Sequence, residues 1–423
     1  GTLIARSGIP GRAVGNLRQP NHLASLLMWS CVAAVWWDAA GCRRRAWVLP
    51  VLLFGLVFGV VLSASRTGMV GVLLLAGWGL LDRKLARPQR LALLATPLML
   101  AFSWGLLSAW AHAGDHAFGA ETRLAEGAGS PSRLAILSNA WTLLRMHPWT
   151  GVGWGEFNLA WTMTPFPGRP TAFFDHTHNL PMQLLVELGW PLGLLVLLLL
   201  AWSVWQAFRA SQRAQGEEAV LRRCAFMIVL MIGLHSLLEY PLWYAYFLLP
   251  AAFALGMALG GEAGATPARP LPAWLPRGVG ALLVLGSVYA VWDYLHVVDI
   301  YVPSRGAAAL EQRIERGQRS TFFSTQADYA AATSLPPGPA ALAAARRTAH
   351  NLIDVRLMMA WAKSLNATGD VDRARYVVAR LREFRSSEGE AWLAECERPR
   401  AAGEPEPFQC QAPSREYSFK EMR

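Results

Sequence analysis

The residues whose types could do chemistry stand in four short stretches. DHTHN carries His176 and His178 beside Asp175, SASRTG places Arg66 between two apolar runs, GNLRQPNH contains Gln19, and HSLLEYPLWYAY holds Glu239 and Tyr240. A neutral imidazole accepts a proton from a hydroxyl at physiological pH, which makes each histidine a candidate general base. A guanidinium presents a planar fork of donors that suits a phosphate or pyrophosphate better than an ammonium does. A charge that close to hydrocarbon is costly unless it is paired, hydrated or functional, so Arg66 is either such a group or a snorkelling interfacial arginine. Gln19, Glu239 and Tyr240 are candidates to hold an extended polar substrate, with interfacial anchoring as their ordinary alternative. Arg145, on the segment SPSRLAILSNAWTLLRMHP, is a further candidate substrate contact. Two histidines at i, i+2 point differently in a helix, and no other His/Cys/carboxylate cluster has ligand spacing, so no metal is expected.

The elements that must position these residues are membrane helices. Of 423 residues, 53% are hydrophobic, 16% are charged and 19 are Trp, a balance that soluble domains seldom reach. Strings such as VLPVLLFGLVFGVVL and GWPLGLLVLLLLAW lack any charge over roughly the length that crosses a hydrocarbon core of about 30 Å. Eight apolar runs are expected as spans, near 23–37, 46–62, 68–81, 91–111, 183–208, 221–238, 241–260 and 275–295. The fold class is therefore all-α, a polytopic membrane bundle of about eight spans with a long outer loop and a helical appendage.

Positive residues gather in alternate connections: Arg43, Arg44 and Arg45; then Arg83, Lys84, Arg87 and Arg90; then Arg209, Arg213, Arg222 and Arg223. Short Lys/Arg-rich loops stay in the cytoplasm, so the intervening loops, and with them all four candidate stretches, face the other side. The net charge of +10 is accounted for by these loops, which argues against nucleic-acid binding. Membrane lipids are the expected surroundings.

Four segments follow: 1–111 with the first spans, 112–182 as an outer loop containing an amphipathic helix and HTHN, 183–295 with the later spans, and 296–423 as a helical tail. The amphipathic helix is expected to lie over the bundle, where its loop caps a cavity. In the tail, paired amphipathic helices separated at NATGD resemble one tetratricopeptide-like unit. Because the chain begins with Gly1 and not Met, upstream helices are expected to be missing. Cys396 and Cys410 can bridge if their segment meets an oxidising compartment.

GNLRQPNHLA, SASRTG, GVGWGEF, DHTHNLPMQLLVELGWPLG and LEYPLWYAYFLLP resemble the O-antigen ligase and polymerase superfamily. EYPLWYAYF and the helical tail are most similar to its bacterial PglL-type protein O-oligosaccharyltransferases. The resemblance implies an inner-membrane enzyme, active at the periplasmic face, that moves a preassembled glycan en bloc from undecaprenyl pyrophosphate to a hydroxyl acceptor. It implies no cofactor. Carried onto this chain, Arg66 would stabilise the pyrophosphate leaving group, and His178, or His176 in its place, would activate the acceptor. The acceptor would be a serine or threonine of an exported protein such as a pilin, or alternatively the lipid A core or another glycan repeat. From another class, a transporter would use Arg66, His178 and Glu239 to line a pathway, and a scaffold would use the tail alone.

Overall fold

A computed structural model describes residues 11–41, 45–121, 131–260, 272, 274–400 and 403–423, all of it helix, turn and loop, with no strand among those residues. Arg43 and Arg44 of the first positive connection lie outside the described residues. Each expected apolar run is a helix: α1 Pro20–Ala39, α2 Val48–Ser63, α3 Arg66–Leu81, then α4 Arg87–Leu94 continuing into α5 Thr96–Gly114. After α6 Pro131–Met146 and α7 Phe157–Met163 come α8 Leu180–Arg213, α9 Gly216–Ser236, α10 Ala245–Leu259 and α11 Trp274–Tyr301. Residues 87–114, α8, residues 218–236 and α11 are long and apolar enough to cross a bilayer, and α2, α3 and α10 are apolar but shorter. Leu282, Val284 and Leu285 of α11 are 70%, 63% and 67% exposed, as an apolar surface is when its partner is lipid. This is a multi-pass membrane protein.

Contacts divide the chain into two units that cut across the four linear segments. The first holds residues 1–130, 178–181 and 194–266, and the second holds 131–177, 182–193 and 267–423. In the first unit α1 packs on α2, α3 and α9, and α9 on α10. Met28, Val32 and Val35 meet Leu53, Val57, Val72, Leu75, Met231 and Phe247 in one buried cluster. The Arg-rich end of this bundle is closed by polar contacts. Arg223 sits 2.9 Å from Asp82, Gln89 donates to Asp38 at 2.9 Å, and Arg90 donates to the Gly79 and Leu80 carbonyls at the end of α3. A cation on a helix's last carbonyls satisfies groups the helix cannot.

The second unit is built on the tail helices α12 Leu310–Gln318, α13 Ser324–Ser334, α14 Pro339–Thr348, α15 Val355–Ala367, α16 Val371–Glu383 and α17 Ser387–Leu393. NATGD forms the break between α15 and α16. The apolar face of α6, with Ile136, Ala140, Leu143 and Leu144, joins the same core as Trp361, Tyr376, Val377 and Phe384 of the tail. The expected cover over the bundle therefore spends that face within this unit. Tyr376 donates to the Met163 carbonyl at 2.6 Å. Arg169, 7% exposed, pairs with Glu383 at 2.7 Å and donates to the Trp161 carbonyl at 2.8 Å. Its guanidinium also stacks over the Trp161 and Phe384 rings at 4.7 and 4.8 Å. Burial lowers the Arg169 pKa, and Glu383 opposes that shift. Cys396 and Cys410 are bridged, with Cα atoms 5.3 Å apart.

Candidate active site

The first unit gathers its reactive-looking side chains around one carboxylate. Glu239 follows α9 in the turn leading to α10 and is 6% exposed. One oxygen, Oε2, lies 2.5 Å from His178 Nδ1, and the other, Oε1, accepts from Asn21 Nδ2 at 3.0 Å. Asn21 Oδ1 in turn accepts from the Ser65 hydroxyl at 2.7 Å. The chain of contacts thus runs from the start of α3, through the start of α1, to the α9–α10 turn and the histidine. A buried carboxylate requires such partners.

Local sequence explains how each element delivers its side chain. Gln19 caps α1, its side-chain oxygen accepting from the His22 amide at 2.7 Å, and Pro20 starts the helix. That cap fixes where Asn21 leaves the first turn. Ser65 caps α3 by accepting from the Gly68 amide at 3.2 Å, directly before Arg66 at the first helical position. Its hydroxyl therefore holds the cap and Asn21 at once. Arg66 is half-buried.

His178 has φ +56°, a left-handed conformation that is uncommon for a residue other than glycine. The next residue, Asn179, donates to the Leu237 carbonyl at 3.0 Å, and the His178 ring meets Tyr240 edge-on with centroids 5.0 Å apart. A second histidine, His22, pairs with the Tyr246 hydroxyl at 2.8 Å and lies edge-on to Tyr244 at 4.6 Å. His235 shares a 2.7 Å hydrogen bond with Ser25.

Of the residues expected from sequence, Gln19, Arg66, His178, Glu239 and Tyr240 fall in this first unit, where Glu239, His178 and Tyr240 touch one another. His176 and Arg145 fall in the second unit. His176 stands 3.3 Å from Asp175, and Arg145 is exposed in the last turn of α6. Gln19 is engaged as a helix cap. Asn21 and Ser65, which join the site, are not among the residues expected from sequence; their local signal is adjacency to Pro20 and Arg66 at helix starts.

With imidazole, carboxylate, amide, hydroxyl and guanidinium placed on one unit, the arrangement suits proton transfer beside an anionic group. Residues 51–198 match a family described as O-Antigen ligase, and residues 224–395 match one described as Virulence factor membrane-bound polymerase, C-terminal. Residues 13–37 match a family described as Protein glycosylation ligase. The three matches span Asn21, Ser65, Arg66, His178 and Glu239. The resemblance to the O-antigen ligase superfamily is thereby borne out. The chain is also similar to protein O-oligosaccharyltransferases. It is 27% identical to a general O-oligosaccharyltransferase of Acinetobacter baylyi over 73% of this chain and 56% of that protein. It is 25% identical to a ComP-specific O-oligosaccharyltransferase of the same organism over 59% of this chain and 44% of the relative. The chain spans about half the length of these curated relatives. No solved structure matches it.

Proposed function

We propose that this chain carries the catalytic residues of an O-oligosaccharyltransferase that moves a preassembled glycan from undecaprenyl pyrophosphate to a hydroxyl of an exported protein. The observation that carries the reading is the 2.5 Å contact between His178 Nδ1 and Glu239. With the ring proton on Nδ1 and directed at the carboxylate, Nε2 bears the lone pair and acts as base. It takes the acceptor's proton as the hydroxyl oxygen attacks the anomeric carbon. The bond from that carbon to the pyrophosphate breaks, its electron pair leaves with the pyrophosphate, and direct displacement inverts the centre. Arg66 stabilises the departing charge. Pyrophosphate is a good leaving group, so positioning and cationic stabilisation suffice without a metal.

A protein acceptor is supported by the protein glycosylation ligase match at 13–37 and by the names of both relatives. The same site chemistry would serve a lipid A core acceptor or a second glycan repeat. A periplasmic site in the bacterial inner membrane is supported by the Arg-rich connections at the opposite end and by the Cys396–Cys410 bridge, which needs an oxidising compartment.

The test is transfer from an undecaprenyl-pyrophosphate glycan to a pilin by the full-length protein and its His178→Ala and Arg66→Ala variants, with membrane levels matched. Loss of transfer by about 100-fold or more in each supports the reading. Undiminished transfer in both variants overturns it.

A further inference from the structure

The chain reaches His178 through a buried polar tether that the reaction itself does not use. Gln183 and Glu187 are 2% and 3% exposed and stand one turn apart on α8. Gln183 Oε1 accepts from the Thr177 amide at 2.8 Å, and its Nε2 donates to Glu187 at 3.0 Å.

The same stretch of α8 is clamped from outside. At Gly189 the helix breaks, with φ +75°, which exposes carbonyls that a continuous helix would consume. The amides of Val152 and Gly153 donate to the Val186 and Glu187 carbonyls at 2.9 and 3.0 Å, and the Trp190 amide donates to Pro148 at 2.8 Å. This approach requires glycine on both sides. A Cβ at Gly151 would lie 2.3 Å from the Glu187 carbonyl oxygen, and one at Gly189 would lie 2.6 Å from the Trp149 carbonyl. GVGWGEF and QLLVELG are thus interlocked through their backbones, and Glu187 ties the lock to Gln183.

We infer that Gln183 and Glu187 are positioning residues for His178: they fix the Thr177 amide, and with it the entry of the chain into a left-handed histidine. A side-chain-bearing residue at positive φ persists when its surroundings over-determine it. Asn179 anchors the far side of His178 through the Leu237 carbonyl, and Gln183 anchors the near side. Released at Thr177, the backbone at His178 relaxes and the imidazole leaves its productive angle. The inference rests on the proposed role of His178, but the tether can be read without it.

The experiment uses the full-length protein in membranes with the undecaprenyl-pyrophosphate glycan and pilin, alongside hydrogen exchange at the Thr177 amide. Gln183→Leu should lower kcat by about 100-fold, the usual cost of misplacing a catalytic group by about 1 Å, with the acceptor KM within about two-fold. Exchange at Thr177 should rise. The exchanged pair Q183E/E187Q keeps each hydrogen bond while moving the charge by one turn, so it should return kcat and Thr177 protection to near the parent values. A wild-type kcat in Gln183→Leu, unchanged protection at Thr177, or failure of the exchanged pair to restore either overturns the tether. His178→Ala in the same assay separates the readings, because full transfer by that variant removes the role of His178 while the exchange result still decides the tether.

Discussion

The two ends of the first unit solve the same problem differently. At the Arg-rich end the Asp82 carboxylate faces the Arg223 guanidinium at 2.9 Å and also accepts from the Trp78 indole at 3.0 Å and the Lys84 amide at 3.0 Å. Permanent charge meets permanent charge there, and the partners are fixed donors. At the other end the Glu239 carboxylate faces an imidazole, a group that changes charge near neutral pH, and its second partner is the neutral Asn21 amide. A closed ion pair stabilises a fold, while a carboxylate held against an imidazole leaves a proton in play. The burial of the two carboxylates is similar, so burial alone does not tell structure from chemistry; the kind of partner does.

That contrast breaks first at Asp82. Asp82→Ala leaves a buried guanidinium without its carboxylate, which typically costs about 3–5 kcal/mol. Thermal unfolding in detergent should shift down markedly, and Asp82→Ala combined with Arg223→Met should recover most of the loss. Transfer per folded molecule should stay near that of the parent. An unchanged unfolding temperature in the single variant would sink the structural reading of this pair.

Glu239→Gln sharpens the other side. The Asn21 amide donates to one oxygen of Glu239, so a glutamine there must turn its own oxygen to Asn21 and its NH2 to His178. The imidazole is then forced to accept at Nδ1 and to carry its proton on Nε2, the tautomer that cannot act as base. The expected result is a fall in kcat of about 100-fold or more with an unfolding temperature close to the parent's. A variant that unfolds early but turns over normally once folded would place Glu239 with Asp82.

The apolar runs were legible because length and absence of charge carry that signal locally, and all eight became helices. His178 and Glu239 were each visible as polar residues at the membrane edge. Their pairing was not, since they stand 61 residues apart and meet through the packing of the α9–α10 turn. Asn21 and Ser65 stand beside Gln19 and Arg66 at helix starts, where a small polar residue ordinarily serves as a cap and carries no local sign of a longer reach. Gln19 in fact does the capping while Asn21 reaches Glu239. Nothing local marks Arg169, inside the Pro/Gly-rich TPFPGRP, as the guanidinium that binds Glu383 and three aromatic rings. The union of 131–177 with the tail depends on such long-range contacts, which periodicity does not report.

The smallest expected effect isolates the outermost link, Ser65. Its hydroxyl accepts from Gly68 as the α3 cap and donates to Asn21, so Ser65→Ala removes both contacts. Ser65→Gly removes the same hydroxyl but costs the cap only a few tenths of a kcal/mol, against about 1 kcal/mol for alanine. If Ser65 serves the site by orienting Asn21, both variants should lose rate by a similar factor of about five, the worth of one hydrogen bond of about 1 kcal/mol. Their unfolding temperatures should differ, with alanine the lower. Rates that instead follow the unfolding temperatures would make Ser65 a cap alone, and the functional cluster would then begin at Asn21.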